Sequence, residues 1–142
     1  MSKTTSTFTR FGLFAAALLF ASLTLTMQSC ATAKLPSQVT ESINRISTDI
    51  PRLLGQASNP YNAQFGEQAK NLLALVDDTA KMAGSNKKFK KVADQLNDFS
   101  KNKLIPYFDK WKVKGQLDPN TVASGIRGAN EAMAGIKKAA KM

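Results

Sequence analysis

Histidine is absent from this chain, cysteine occurs once, and 10 acids face 20 Lys and Arg in 142 residues. Without imidazole, His-based acid–base catalysis, Cys/His zinc sites and His-ligated haem are excluded. A single thiol excludes an internal disulfide and any site built from several cysteines. The helical-bundle metal motif needs Glu-x-x-His, which is missing too. The carboxylates are scattered, Asp77-Asp78 being the one adjacent pair, and no glycine-rich phosphate-cradling loop occurs. The expectation is therefore a non-enzymatic protein that needs no cofactor. What is present fits one folded domain: an apolar fraction of 43% and a length able to close one modest core.

Acids are also missing from the whole stretch before Glu41. That stretch opens with Lys3 and Arg10, continues as an uncharged run rich in Leu, Ala and Phe from Phe11 to Met27, and ends in small residues. A basic start, an apolar centre and a small-residue end make up a secretory signal. The run of 17 residues is at the short edge for a membrane span, and Thr24 and Thr26 already make its end polar. Leu25-Thr26-Met27-Gln28-Ser29-Cys30 resembles the lipobox of bacterial lipoproteins, with Ser29 as the small residue before the cysteine. Met27 and Gln28 depart from the preferred residues, so the match is relaxed. The resemblance implies that Cys30 becomes the first mature residue and carries acyl chains such as palmitate. A rival site, Ala31-Thr32-Ala33, satisfies the A-x-A rule, and cleavage after Ala33 would release a soluble periplasmic or secreted protein. The only cysteine falls at the end of the apolar run, which favours lipidation. The expected layout is a signal over 1–29, a tether over 30–36 and a helical domain over 37–142. Loss of Lys3 and Arg10 lowers the net charge from +10 to +8.

The remainder reads as helices. Asn59-Pro60 and Asp118-Pro119 each offer an N-cap followed by proline at the first helical position. Gly55, Gly84 and Gly115 stand where periodic segments stop, as left-handed C-caps would. Ser85 and Asn86 are candidate caps for the next segment, and Leu117 with Val122 fits a hydrophobic staple around Asp118. Four helices are expected, near Ser37–Leu54, Pro60–Ala83, Lys87–Lys114 and Pro119–Lys141. Their apolar residues step by three and four: Val39, Ile43, Ile46, Ile50 and Leu53 in the first; Val122, Ile126, Ala129, Met133 and Ile136 in the last. The third runs Phe89, Val92, Leu96, Phe99, then shifts phase to Leu104, Phe108 and Trp111. Nothing alternates like a strand. Short links favour antiparallel neighbours, so the fold class is all-α, an up-down-up-down four-helix bundle. Pro51 and Pro106 fall inside helices, where each removes a donor and is expected to kink or break its helix.

Three features point outward. A stripe of small residues, Gly125, Gly128, Ala132, Gly135 and Ala139, lies beside the apolar row of the last helix and suits either close packing or a groove. Lys81 ends one helix, Lys87, Lys88, Lys90 and Lys91 open the next, and Lys137, Lys138 and Lys141 end the last; in an up-down bundle these share one pole. Between Lys103 and Lys114, aromatics mix with lysines: Phe108 and Trp111 are spaced as core, and Tyr107 is the expected exposed contact. The reading is an exported lipoprotein, anchored to the outer membrane of the cell envelope through acyl-Cys30. It would act as a structural, adaptor or binding protein, its lysines facing anionic lipid or another acidic polymer. Nucleic acid is not an expected partner of an exported chain. The alternative is a surface adhesin that places the same lysines on acidic polysaccharide. Tyr107, Gly125, Gly128 and Gly135 are candidate contacts for a protein partner.

Overall fold

The computed structural model describes residues 34–142, and the signal, Cys30 and the Ala33 site lie outside the described residues. Leu35–Met142 form one compact unit that is all-α. Helix α1 spans Ser37–Gly55, α2 Ala63–Gly84, α3 Lys90–Phe99, α4 Ile105–Lys114 and α5 Pro119–Ala139. A π-helical turn, Ser100–Leu104, joins α3 to α4 without a break, so the two form a single rod. Helix α1 packs against α2 and α5, and the α3–α4 rod packs against the same two. A helical bundle results.

The apolar rows become the core. Val39, Ile43, Ile46, Ile50 and Leu53 of α1 are buried, as are Val122, Ala129, Met133 and Ile136 of α5. Thr79 is the single buried polar residue among those described, and its hydroxyl donates to the Leu75 carbonyl at 2.6 Å, one turn back. The phase shift in the third apolar row has a structural cause. Phe99 and Leu104 are five residues apart, a step that would swing an α-helical side chain off the core. In the π turn the Ile105 N–H donates to the Ser100 carbonyl, and the widened ring keeps both side chains buried.

The same turn bears on Pro106, the second proline expected to kink or break its helix: the regular α-helix is interrupted just before it. Pro106 takes the second position of α4, directly after the wide turn. Pro51 stays inside α1, which runs through it to Gly55.

Several expected boundaries move. Helix α2 starts at Ala63, with Asn62 and not Asn59 as the N-cap: the Asn62 carboxamide accepts from Phe65 N–H at 3.0 Å. Pro60 lies before the helix because its neighbours are held by the α4–α5 link. The Tyr61 N–H donates to the Gly115 carbonyl (2.6 Å), and the Trp111 indole donates to the Asn59 carbonyl (3.1 Å). Asp118 caps α5 as expected, accepting from Thr121 N–H at 2.9 Å, and Leu117 and Val122 are both buried. Of the three glycines expected in the left-handed region, Gly115 alone is there (φ 75°), whereas Gly55 keeps a helical φ of −63°. The last helix ends at Ala139, and Lys141 takes the left-handed position (φ 58°) instead.

Candidate functional site

Five of the eight predicted lysines lie around the N-terminus of α3, and Lys137, Lys138 and Lys141 lie at the end of α5. Lys81 ends α2, and after a short link a 3-10 turn carries Lys87 and Lys88, its start fixed by Asn86, whose side chain accepts from Lys88 N–H at 3.0 Å. Lys90 and Lys91 open α3. A shallow hollow between α2 and α3 brings Lys81 beside Lys90. On the other side of α3, Lys90 and Lys91 share a cavity with Gly135 and Ile136, which Lys137 and Lys138 directly follow.

Two of the eight lysines are neutralised locally: Lys81 Nζ sits 2.8 Å from Asp77, and Lys90 Nζ 2.7 Å from Asp94. The hydrogen bond to Asp77 and then its charge hold the Lys81 ammonium above the ordinary lysine range. The other six form no ion pair among the described residues. Helix α3 has no acid in its first turn, so its N-terminal dipole adds to the positive side chains instead of being offset by a carboxylate.

A second surface is the seam between the α3–α4 rod and α5. Here the small-residue stripe divides in two. A methyl group on Gly125 would collide with the Tyr107 ring, whose Cδ2 and Cζ stand 3.0 and 3.2 Å from it. Methyl groups on Gly128 and Gly135 would meet nothing within 4 Å. The seam is therefore closed at Gly125 and open beyond it. One cavity of about 340 Å³ lies between Tyr107, Lys103 and Lys110 on one side and Gly125 and Gly128 on the other. A second, of about 680 Å³, continues along Ala132, Gly135 and Ile136, and the two adjoin at Phe99 and Lys103. Gln95 lines the second, and its Oε1 is the one buried side-chain oxygen or nitrogen without a partner among the described residues.

Tyr107 is not an exposed contact. Its ring is half-buried over Gly125, and its hydroxyl donates to the Leu54 carbonyl at 2.9 Å, at the end of α1. Burial pushes the Tyr107 phenol up to about 12. Phe108 and Trp111 are buried, as their spacing implied.

Sequence reasoning missed Lys103 and Lys110 as seam residues. Their seven-residue spacing across the π turn, beside buried Phe99 and Leu104, is the signal that carried them. It also missed a polar groove of about 730 Å³ between α1 and α2, in which Arg45 and Arg52 both reach Asp49, at 3.5 and 3.0 Å. Asp49 is thus shared by two guanidinium groups. Among the described residues no helix is long and apolar enough to cross a membrane. No protein-family model, curated protein or solved structure matches this chain.

Proposed function

We propose that this protein is an exported bacterial lipoprotein, held by acyl chains on Cys30, that rests its lysine-bearing end on an anionic membrane surface and acts there as a non-enzymatic structural or adaptor protein. The observation that supports the reading is the lysines themselves: Lys87, Lys88 and Lys91 at the start of α3, and Lys137, Lys138 and Lys141 at the end of α5, have no ion pair among the described residues. Lysines at helix C-termini are explained by the helix dipole. Lys87, Lys88 and Lys91 are not, because they stand at the end where backbone partial charge is already positive. Their position calls for an external anion.

In an up-down-up-down bundle with these short links, the start of α1, the α2–α3 link and the end of α5 share one pole. Cys30 precedes α1 by only seven residues. An acyl anchor and a polybasic patch at that pole would then act together, each signal being too weak alone for stable attachment. The mass of the mature N-terminus tests the anchor: acyl-Cys30 is expected, and a chain beginning at Lys34 would refute it. Vesicle co-sedimentation tests the pole. Lys87, Lys88 and Lys91→Ala should weaken binding to vesicles containing anionic phospholipid by roughly 100-fold at low salt, at about 1 kcal/mol for each lysine. Unchanged binding would sink the idea.

A further inference from the structure

The lysine end does not account for the seam between the α3–α4 rod and α5. That seam is concave, has an apolar floor, and carries lysines without carboxylates beside them at one end only. We propose that it binds a single-chain anionic amphiphile, a long-chain fatty acid being the simplest, with the carboxylate between Lys103 and Lys110 and the tail along Gly128, Ala132 and Gly135.

Shape comes first. The two adjoining cavities, about 340 and 680 Å³, lie in the range of small-molecule sites. From the closure at Gly125 to Ile136 they run 11 residues along α5, which at 1.5 Å per residue is about 16 Å. One acyl chain spans half of a bilayer core, about 15 Å, so the seam can lodge it lengthwise. Gly128 and Gly135 leave the space a tail needs, since nothing stands within 4 Å of where their side chains would begin.

Charge then selects the occupant. The cavity beside Tyr107 contains Lys103 and Lys110 and no carboxylate, and neither lysine has an ion pair among the described residues. The neighbouring cavity balances three lysines, Lys90, Lys91 and Lys103, with three carboxylates, Asp94, Asp98 and Glu131, of which only Lys90 and Asp94 form an ion pair. The net positive end is thus the Lys103–Lys110 end, where an anionic head would seat. Asn102, Thr121 and Ser124 also line this cavity, but Leu54, Phe99, Leu104 and Ala129 give it apolar surface that a fully polar polymer would leave uncovered. A second copy docked seam to seam would set these lysines against their own counterparts. A carboxylate with an apolar tail matches both parts.

The test uses the full chain in phosphatidylcholine nanodiscs, with a diazirine analogue of palmitic acid as the photoreactive probe. Crosslinked peptides are identified by mass spectrometry. Labelling is expected in the segments around Phe99 and residues 125–136, with palmitate competing and hexadecanol, the same tail without charge, competing at least tenfold less well. Lys103→Glu with Lys110→Glu should lower labelling about tenfold or more. Gly128→Leu with Gly135→Leu should remove it while helix content is kept. Lys87→Glu with Lys88→Glu should leave it unchanged, which separates this site from the membrane-facing end. Labelling that ignores the two leucines, or equal competition by hexadecanol, would overturn the proposal. So would a dimer that the leucine variant dissolves and that takes no label in the seam, for then a second copy is the occupant.

Discussion

The two ends of this bundle are built on opposite terms. At one, the α1–α2 and α4–α5 links are stitched together: Leu117 N–H donates to Ala57 O (2.8 Å), Tyr61 N–H to Gly115 O (2.6 Å), and the Gln116 carboxamide to Ser58 O (2.5 Å). Trp111 lies fully buried beneath them, its ring edge-on to Tyr61 (5.4 Å between centroids) and tilted against Phe65 (5.0 Å). At the other end, lysines crowd a helix N-terminus, and Lys87, Lys88 and Lys91 there have no ion pair among the described residues. A closed end spends its polar groups on itself, and an open end leaves them for something else. The same contrast separates the faces of α5, which α1 covers and the rod leaves partly open. Stability and binding are therefore expected to reside in different residues, and substitutions can break or sharpen that division.

The largest effect should come from Trp111→Ala. Truncating a fully buried tryptophan costs about 3–5 kcal/mol. Here it would also remove the donor to Asn59 and both aromatic neighbours. Thermal unfolding followed by circular dichroism should show a midpoint lower by roughly 15 °C or more. Lys87, Lys88 and Lys91→Ala at the other end should move the midpoint little, exposed sites being worth about 0.5 kcal/mol or less. Equal losses at the two ends would erase the distinction between them.

Within the seam, two glycines three residues apart separate by sign. Gly125→Ala must push the Tyr107 ring away and break its hydrogen bond to Leu54, for a loss of about 1–3 kcal/mol. Gly128→Ala meets no atom and gains about 1 kcal/mol of helix propensity. Denaturant unfolding of the two variants checks this, and a loss in both would show that the seam is closed along its whole length.

How much of this was legible in the sequence depends on whether the deciding force was local. The three-and-four stepping of Val39 to Leu53 and of Val122 to Ile136 was enough to mark their buried faces, because helix periodicity depends on nothing beyond the helix. Asp118 capped α5 as read, since its partner Thr121 is three residues away. Asn59 did not cap α2, because bonds from Trp111 and Gly115, more than fifty residues on, hold that stretch extended before Asn62 takes over. The jump from Phe99 to Leu104 was visible as a lost phase, yet the π turn that absorbs it is a hydrogen-bonding choice made to keep both side chains in the core. The glycine stripe was visible as well. Whether a neighbour would come close enough to fill it was not, because the answer lies with Tyr107 on another helix.

The smallest effect tests the comparison most finely, because both ends contain a residue in the left-handed region. At the stitched end it is Gly115, where the conformation is free of side-chain cost. At the lysine end it is Lys141, closing α5 in a Schellman turn: Met142 N–H donates to Lys137 O (3.0 Å) and Lys141 N–H to Lys138 O (3.1 Å). A side chain in that position costs about 1 kcal/mol, so a lysine there sacrifices stability for a charge. Lys141→Gly should raise stability by about that amount in denaturant unfolding. It should also weaken binding to anionic vesicles by about fivefold, the worth of one lysine near such a surface. Opposite signs in the two measurements are what a charge held for an external anion requires. A variant that gains stability and loses no binding would leave Lys141 outside the contact and confine it to Lys87, Lys88 and Lys91.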